Sequence, residues 1–177
     1  PRAKIVPAIV SMTDVGVCTR FGAALAKVLK GRRALIVASS DLSHYPSAAD
    51  AEMVDRKTLA AVTSLDPTTL HKTIQEQMTR RIRGLDTCAC GEAPIMAAMA
   101  AANALGATSG KVVSYANSGD IPIGDRERVV GYGAVVFTAD PEKTKAASEM
   151  TAAADQTLSP ADKKALLAHA RETISSY

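Results

Sequence analysis

Apolar and polar positions along this chain keep two rhythms, and the switches between them predict its elements. Residues 5–11 form a short apolar run that Pro7 marks as an edge strand or a bend. Val17, Phe21, Leu25 and Val28 then recur at helical spacing, with Thr13 or Asp14 as the cap and Gly31 as the stop after about Lys30. Residues 34–38 are continuously apolar, the pattern of a strand buried on both faces of a parallel sheet. Strand, helix and strand at this spacing make one βαβ unit.

Beyond Pro46, residues 48–65 mix charged and apolar positions at helical spacing. Asp66-Pro67 breaks that run, and residues 69–80 form a second amphipathic helix. The polar stretch GLDTCACG feeds an Ala- and Met-rich helix that Gly106 ends. Residues 111–115 and 129–138 read as strands, joined by the turn-rich NSGDIPIGDRER. Alternating elements of this kind predict an α/β fold built in layers on a sheet.

Residues 1–139 read as one body. Across 140–157 the composition shifts to Ala, Lys, Glu, Asp and Thr without apolar periodicity, which predicts a linker. Residues 158–177 then open a new helix, with Ser159 as N-cap, Pro160 in the first helical position and Asp162 where a capping box places its acid. Its stripe of Leu166, Leu167, Ala170 and Ile174 has nothing to pack on before the chain stops. The chain also starts in mid-strand without an initiator Met, so both ends read as cuts in a longer protein.

Composition narrows the partners. At 177 residues with 47% hydrophobic and 22% charged positions, the chain is an ordinary globular protein. Only 3% of it is aromatic and Trp is missing, which argues against stacking platforms for single-stranded nucleic acid. The net charge of +3 is small and scattered; the one cluster, Arg80, Arg81 and Arg83, reads as a solvated turn. The longest apolar run, MAAMAAANAL, is too short to cross a bilayer. Neither nucleic acid nor membrane is an expected partner. Three cysteines, an odd number, argue against a disulfide framework and for a reducing, cytoplasmic setting.

Candidate chemistry lies at the ends of predicted elements. In SSDLSHY, Asp41 and His44 follow a strand's carboxyl end, where open parallel sheets bind ligands. An Asp beside a His fixes its tautomer and suits it for proton transfer or metal work, although a capping Asp and a packed His would look the same. In CACGEAPI, Cys90 directly precedes a helix start, Gly91 permits close approach and Pro94 lies in the first turn. A helix amino terminus favours thiolate, the form that binds metal or attacks carbon. Cys88 and Cys90 make a C-x-C pair without a second pair, so a tetrahedral zinc knuckle is not expected. Two small buried cysteines in a tight turn is the plain alternative. YANSGD is a plain turn or a pocket wall, and VVGYGAVVF has strand glycines that indicate a bulge or close packing, without the G-x-G-x-x-G order. Cys18 is expected in the core, and His71 and His169 exposed or packed on helices.

In this order, SSDLSHY, CGEAPI, YANSGD and VVGYGA resemble the Memo family, labelled in prokaryotes AmmeMemoRadiSam system protein B. The resemblance covers the carboxy-terminal part of that domain. It implies a three-layer α/β/α sandwich around a mostly parallel or mixed sheet, similar to class III extradiol dioxygenases, which are non-haem iron enzymes. It implies that Cys90 is a metal ligand for iron(II) or copper and that His44 and Asp41 are catalytic neighbours, with His44 the acid or base. Ser40, Asn117 and Asp120 are expected to line the substrate pocket. The family's two further ligands are histidines from its amino-terminal half, and none of the three histidines here matches them. Residues 158–177 resemble the first helix of an AMMECR1-like domain, a fused partner. A radical SAM protein of the same cassette and a small-molecule or peptide ligand are further expected partners. Three functions follow in order: a metal-dependent oxidoreductase, a non-catalytic binding module, and a Cys/His/Asp hydrolase.

Overall fold

The computed structural model describes residues 4–139. Within them the chain is mixed α/β, with four helices and a two-strand antiparallel sheet. Helix α1 spans Val15–Leu29, α2 Ala48–Thr63, α3 Pro67–Thr79 and α4 Glu92–Ala104. Strand β1 (Ser109–Asn117) turns through a single 3-10 turn, Ser118–Asp120, and returns as β2 (Gly131–Thr138).

The helix boundaries follow their caps. Asp14 accepts the Val17 N–H at 2.7 Å and starts α1, and Gly31, at φ 73°, ends it. Ser47 caps α2 through the Asp50 N–H. The break expected at Asp66-Pro67 is also a beginning: Asp66 accepts the Thr68 and Thr69 N–H groups, Pro67 sits in the first turn, and α3 starts two residues before the predicted 69. Gly106, at φ 92°, follows α4 as expected.

The buried face of α1 differs from the predicted stripe. Phe21 and Val28 are exposed, and Cys18, Gly22 and Ala26 are the buried positions instead. The reason is the Ala-rich surface of α4. A Cβ on Gly22 would stand 2.3 Å from the Ala97 carbonyl oxygen and 2.7 Å from the Ala100 Cβ, so the two backbones approach too closely for large side chains. The larger core side chains, Val54, Leu70, Ile74, Met96 and Met99, gather where α3 meets α2 on one side and α4 on the other.

The sheet is where expectation and structure part. Residues 5–11 and 34–38 form no ladder, so the predicted βαβ unit is not closed by strand pairing among the described residues. A strand exists through its neighbour's hydrogen bonds, and neither segment has one: Ile9 is 96% and Leu35 86% exposed. The one ladder among the described residues, β1 with β2, is antiparallel and carries an irregularity between Val112 and Ser114. The linker expected at 140–157, the helix expected at 158–177 and His169 lie outside the described residues. Among the described residues no helix is long and apolar enough to cross a membrane.

Candidate functional site

The loop that follows residues 34–38 is stitched down on two sides. The Leu42 N–H donates to the Gly131 carbonyl and the Gly131 N–H to the Ser43 carbonyl, both at 2.8 Å. On the other side the His44 N–H donates to the Thr87 carbonyl at 3.1 Å. Tyr45 takes a φ of 71°, rare for a residue with a side chain, and turns the chain just past His44. The two motifs of the sequence therefore face one another. The Gly91 N–H donates to Ser40 Oγ at 2.8 Å, and Ser40 Oγ donates to the Asp41 carbonyl at 2.6 Å. A Cβ on Gly91 would stand 2.6 Å from the Ser39 carbonyl oxygen, so glycine permits the approach expected of it.

That approach gathers three ligand-type side chains. Donor atoms of Asp41, His44 and Cys90 all lie within 4.8 Å of one another. Cys90 is exposed and directly precedes Gly91, the N-cap of α4, its Sγ accepting the Asp41 N–H at 3.2 Å. His44 Nε2 stands 3.5 Å from Asp41 Oδ2, is itself buried, and makes no hydrogen bond. A buried polar atom without a partner is costly to leave so. Here it is aimed among a carboxylate and a thiol.

Below the loop lies a carboxylate the sequence reading passed over. Asp55 of α2 is fully buried. Its Oδ1 accepts the Ser43 N–H at 2.9 Å, and its Oδ2 accepts the hydroxyls of Ser43 at 3.0 Å and Tyr115 at 2.9 Å. Gly131 stands against it, since a Cβ there would be 1.9 Å from Oδ2. This is the close packing expected of VVGYGA. The signal was present: Asp55 shares a helical face with the buried Ala51, Thr58 and Val62.

Burial pushes the Asp55 carboxyl above its ordinary value, against the three hydrogen bonds that pull it down. The folded protein therefore holds this proton more tightly than the unfolded chain does. Stability from that proton is full below the ordinary aspartate value of about 3.9 and is lost as pH rises through the raised one. Asp55→Asn should remove this slope. The unfolding free energy of the variant relative to wild type is expected to climb from about pH 4 upward, read by urea titration at a series of pH values. A flat difference would contradict the raised carboxyl.

The remaining candidates have local partners or are buried in the core. Asn117 and Asp120 build the turn after β1 reciprocally: Asn117 Oδ1 accepts the Gly119 N–H at 2.9 Å, and Asp120 Oδ2 accepts the Asn117 N–H at 2.8 Å. Arg126 reaches Asp120 at 3.4 Å. Cys18 is buried, as expected. Cys88 is buried too, its thiol pushed up to about 11 by burial and then by the charges of Asp55 and Glu92. The plain reading thus holds for Cys88, whereas Cys90 is exposed. His71 Nδ1 pairs with Glu92 Oε1 at 2.6 Å, tying α3 to the first turn of α4.

The Memo-like protein family matches residues 1–136, which contain all of this geometry. The chain belongs to the Memo family. Among its relatives, a MEMO1 family protein of Aquifex aeolicus is 38% identical over 135 residues, covering 76% of this chain and 47% of the relative. One from Methanosarcina mazei is 33% identical over 135 residues, covering 75% of this chain and 47% of the relative. One from Methanopyrus kandleri is 32% identical over 136 residues, covering 76% and 45%. The chain spans about half the length of the curated relatives it matches.

Proposed function

We propose that this Memo chain supplies part of a metal-dependent redox site, with Cys90 as a metal ligand and His44 and Asp41 as its proton-handling neighbours. The observation that carries the reading is the unpartnered, buried His44 Nε2 beside Asp41 and Cys90. The residues fit the group: a thiolate with imidazole and carboxylate nearby suits a soft to borderline ion such as iron(II) or copper. When bound, such an ion supplies electron transfer and activation of oxygen.

The chain's own residues have defined work in this reading. Cys90 presents its sulfur from the start of α4, held by the Asp41 N–H. His44 holds or delivers a proton at Nε2, and Asp41, 3.5 Å away, orients the ring. Ser40 locks the two motifs together, and Asn117 and Asp120, which build the turn after β1, are assigned with it to the substrate pocket. The two further histidine ligands belong to the length of a Memo protein beyond this chain, as does the rest of a three-layer sandwich of the extradiol dioxygenase type. A fused AMMECR1-like domain, a radical SAM partner and a cytoplasmic setting complete the proposal.

A thiol hydrolase needs its cysteine bonded to the histidine. Here the Cys90 Sγ contacts run to Asp41 and Ser40, and His44 Nε2 makes no hydrogen bond. This geometry disfavours that mechanism.

Metal analysis after dialysis tests the proposal. A protein of full Memo length is expected to retain near-stoichiometric iron or copper, and residues 1–177 alone to retain little, because one thiolate with a nearby His and Asp leaves the coordination shell open. Stoichiometric metal on residues 1–177 alone would show that the additional histidines are unnecessary. No metal on either protein would overturn the redox reading and favour a binding module for a peptide or small molecule.

A further inference from the structure

Asp55 takes no part in the chemistry proposed above, and its burial needs a reason. A carboxylate without a counter-ion is expensive to keep inside a protein. Three donors offset that cost, and two of them belong to one residue, Ser43.

Ser43 lies between the candidate residues Asp41 and His44. The Asp41 N–H donates to Cys90 Sγ, the Ser43 N–H to Asp55, and the His44 N–H to Thr87. Asp55 therefore grips the middle of a row of three amides whose other members set the sulfur contact and the imidazole. Through Tyr115 it is braced against β1, and Gly131 of β2 leaves room for it. Without the carboxylate, the Ser43 amide and hydroxyl would be buried with no acceptor. The loop would have to shift to satisfy them, drawing Asp41 and His44 away from Cys90.

We propose that Asp55 is a positioning residue that holds Asp41 and His44 at Cys90 through Ser43. The proposal rests on the reading of those three residues as the working cluster.

Cobalt(II) is the probe, titrated into the full Memo-length protein and followed by sulfur-to-cobalt charge-transfer absorption. Asp55→Ala should weaken cobalt binding by roughly 10- to 100-fold, because the shifted loop withdraws the Asp41 N–H that holds the Cys90 sulfur, and losing a group that orients a ligand usually costs that much. Asp55→Asn should lose less, because its oxygen still accepts the Ser43 N–H. Ile74→Ala, a core truncation on α3, should lower the melting temperature yet leave cobalt affinity unchanged, which separates positioning from general stability. Wild-type affinity in folded Asp55→Ala would overturn the proposal; should that variant not fold, wild-type affinity in Asp55→Asn would do so. Hydrogen exchange gives a reading independent of metal. The Asp41 and His44 amides should exchange about 10-fold faster in Asp55→Ala than in Ile74→Ala, on the order of one hydrogen bond. Equal rates would overturn the proposal. A wild-type protein that shows no sulfur band would sink the metal reading instead, and the exchange rates would then decide Asp55 alone.

Discussion

Cys90→Ser in the full Memo-length protein is expected to lose most of its bound metal. The exchange replaces sulfur by a hydroxyl, a far poorer ligand for iron(II) or copper, with little change of shape. The surroundings should survive it. Cys90 is exposed, its fixed contacts are to the Asp41 backbone and Ser40, and the first turn of α4 starts from Gly91 regardless. Melting should therefore move little while metal content collapses. Retained metal with unchanged stability would show that Cys90 is not a ligand.

His44→Ala is expected to do the reverse. It should keep the metal and lower oxygen-dependent turnover by about 10²- to 10⁴-fold, the contribution typical of a positioned proton-transfer group. The imidazole is aimed by its backbone, through the Thr87 carbonyl and the turn at Tyr45, so removing the ring leaves the loop's hydrogen bonds in place. Asp41→Asn should fall between the two, because it disturbs the ring's orientation more than the sulfur. Oxygen uptake and metal content on the same preparations decide it. Were His44→Ala to strip the metal while Cys90→Ser kept it, the two roles would be exchanged.

These roles depend on a site whose parts were unequally legible in the sequence. The loop residues Asp41 and His44 were readable because they follow a switch from apolar run to polar turn, and Cys90 because it precedes the reverse switch from polar loop to helix; caps and glycines mark such switches locally. Gly91 was readable as a close-approach position for the same reason, and Gly131 because a glycine within a strand indicates a bulge or close packing. The face of α1 was not: hydropathy points to Val17, Phe21, Leu25 and Val28, while the packing follows the small residues Cys18, Gly22 and Ala26 that let α4 come near. A stripe of small residues carries little hydropathy signal, so the partner helix had to be known first.

The two early segments fail for a different reason. Residues 5–11 and 34–38 have strand composition, but pairing is a property of two segments, and among the described residues they remain unladdered with apolar side chains exposed. Asp55 was overlooked because one charged residue on a helix is usually solvated. Only its place on the same face as Ala51, Thr58 and Val62 distinguishes it, and its partners, Ser43 and Tyr115, are far away in sequence.

The question on which the functional proposal turns is whether a metal in this protein touches the Cys90 sulfur. X-ray absorption at the metal edge measures this directly on the full Memo-length protein. The expected wild-type spectrum contains one sulfur neighbour at roughly 2.3 Å, the usual metal–thiolate distance, together with nitrogen or oxygen neighbours, and the small fraction of metal that Cys90→Ser retains shows no sulfur neighbour. A first shell of nitrogen and oxygen alone in the wild type, unchanged by Cys90→Ser, would contradict it.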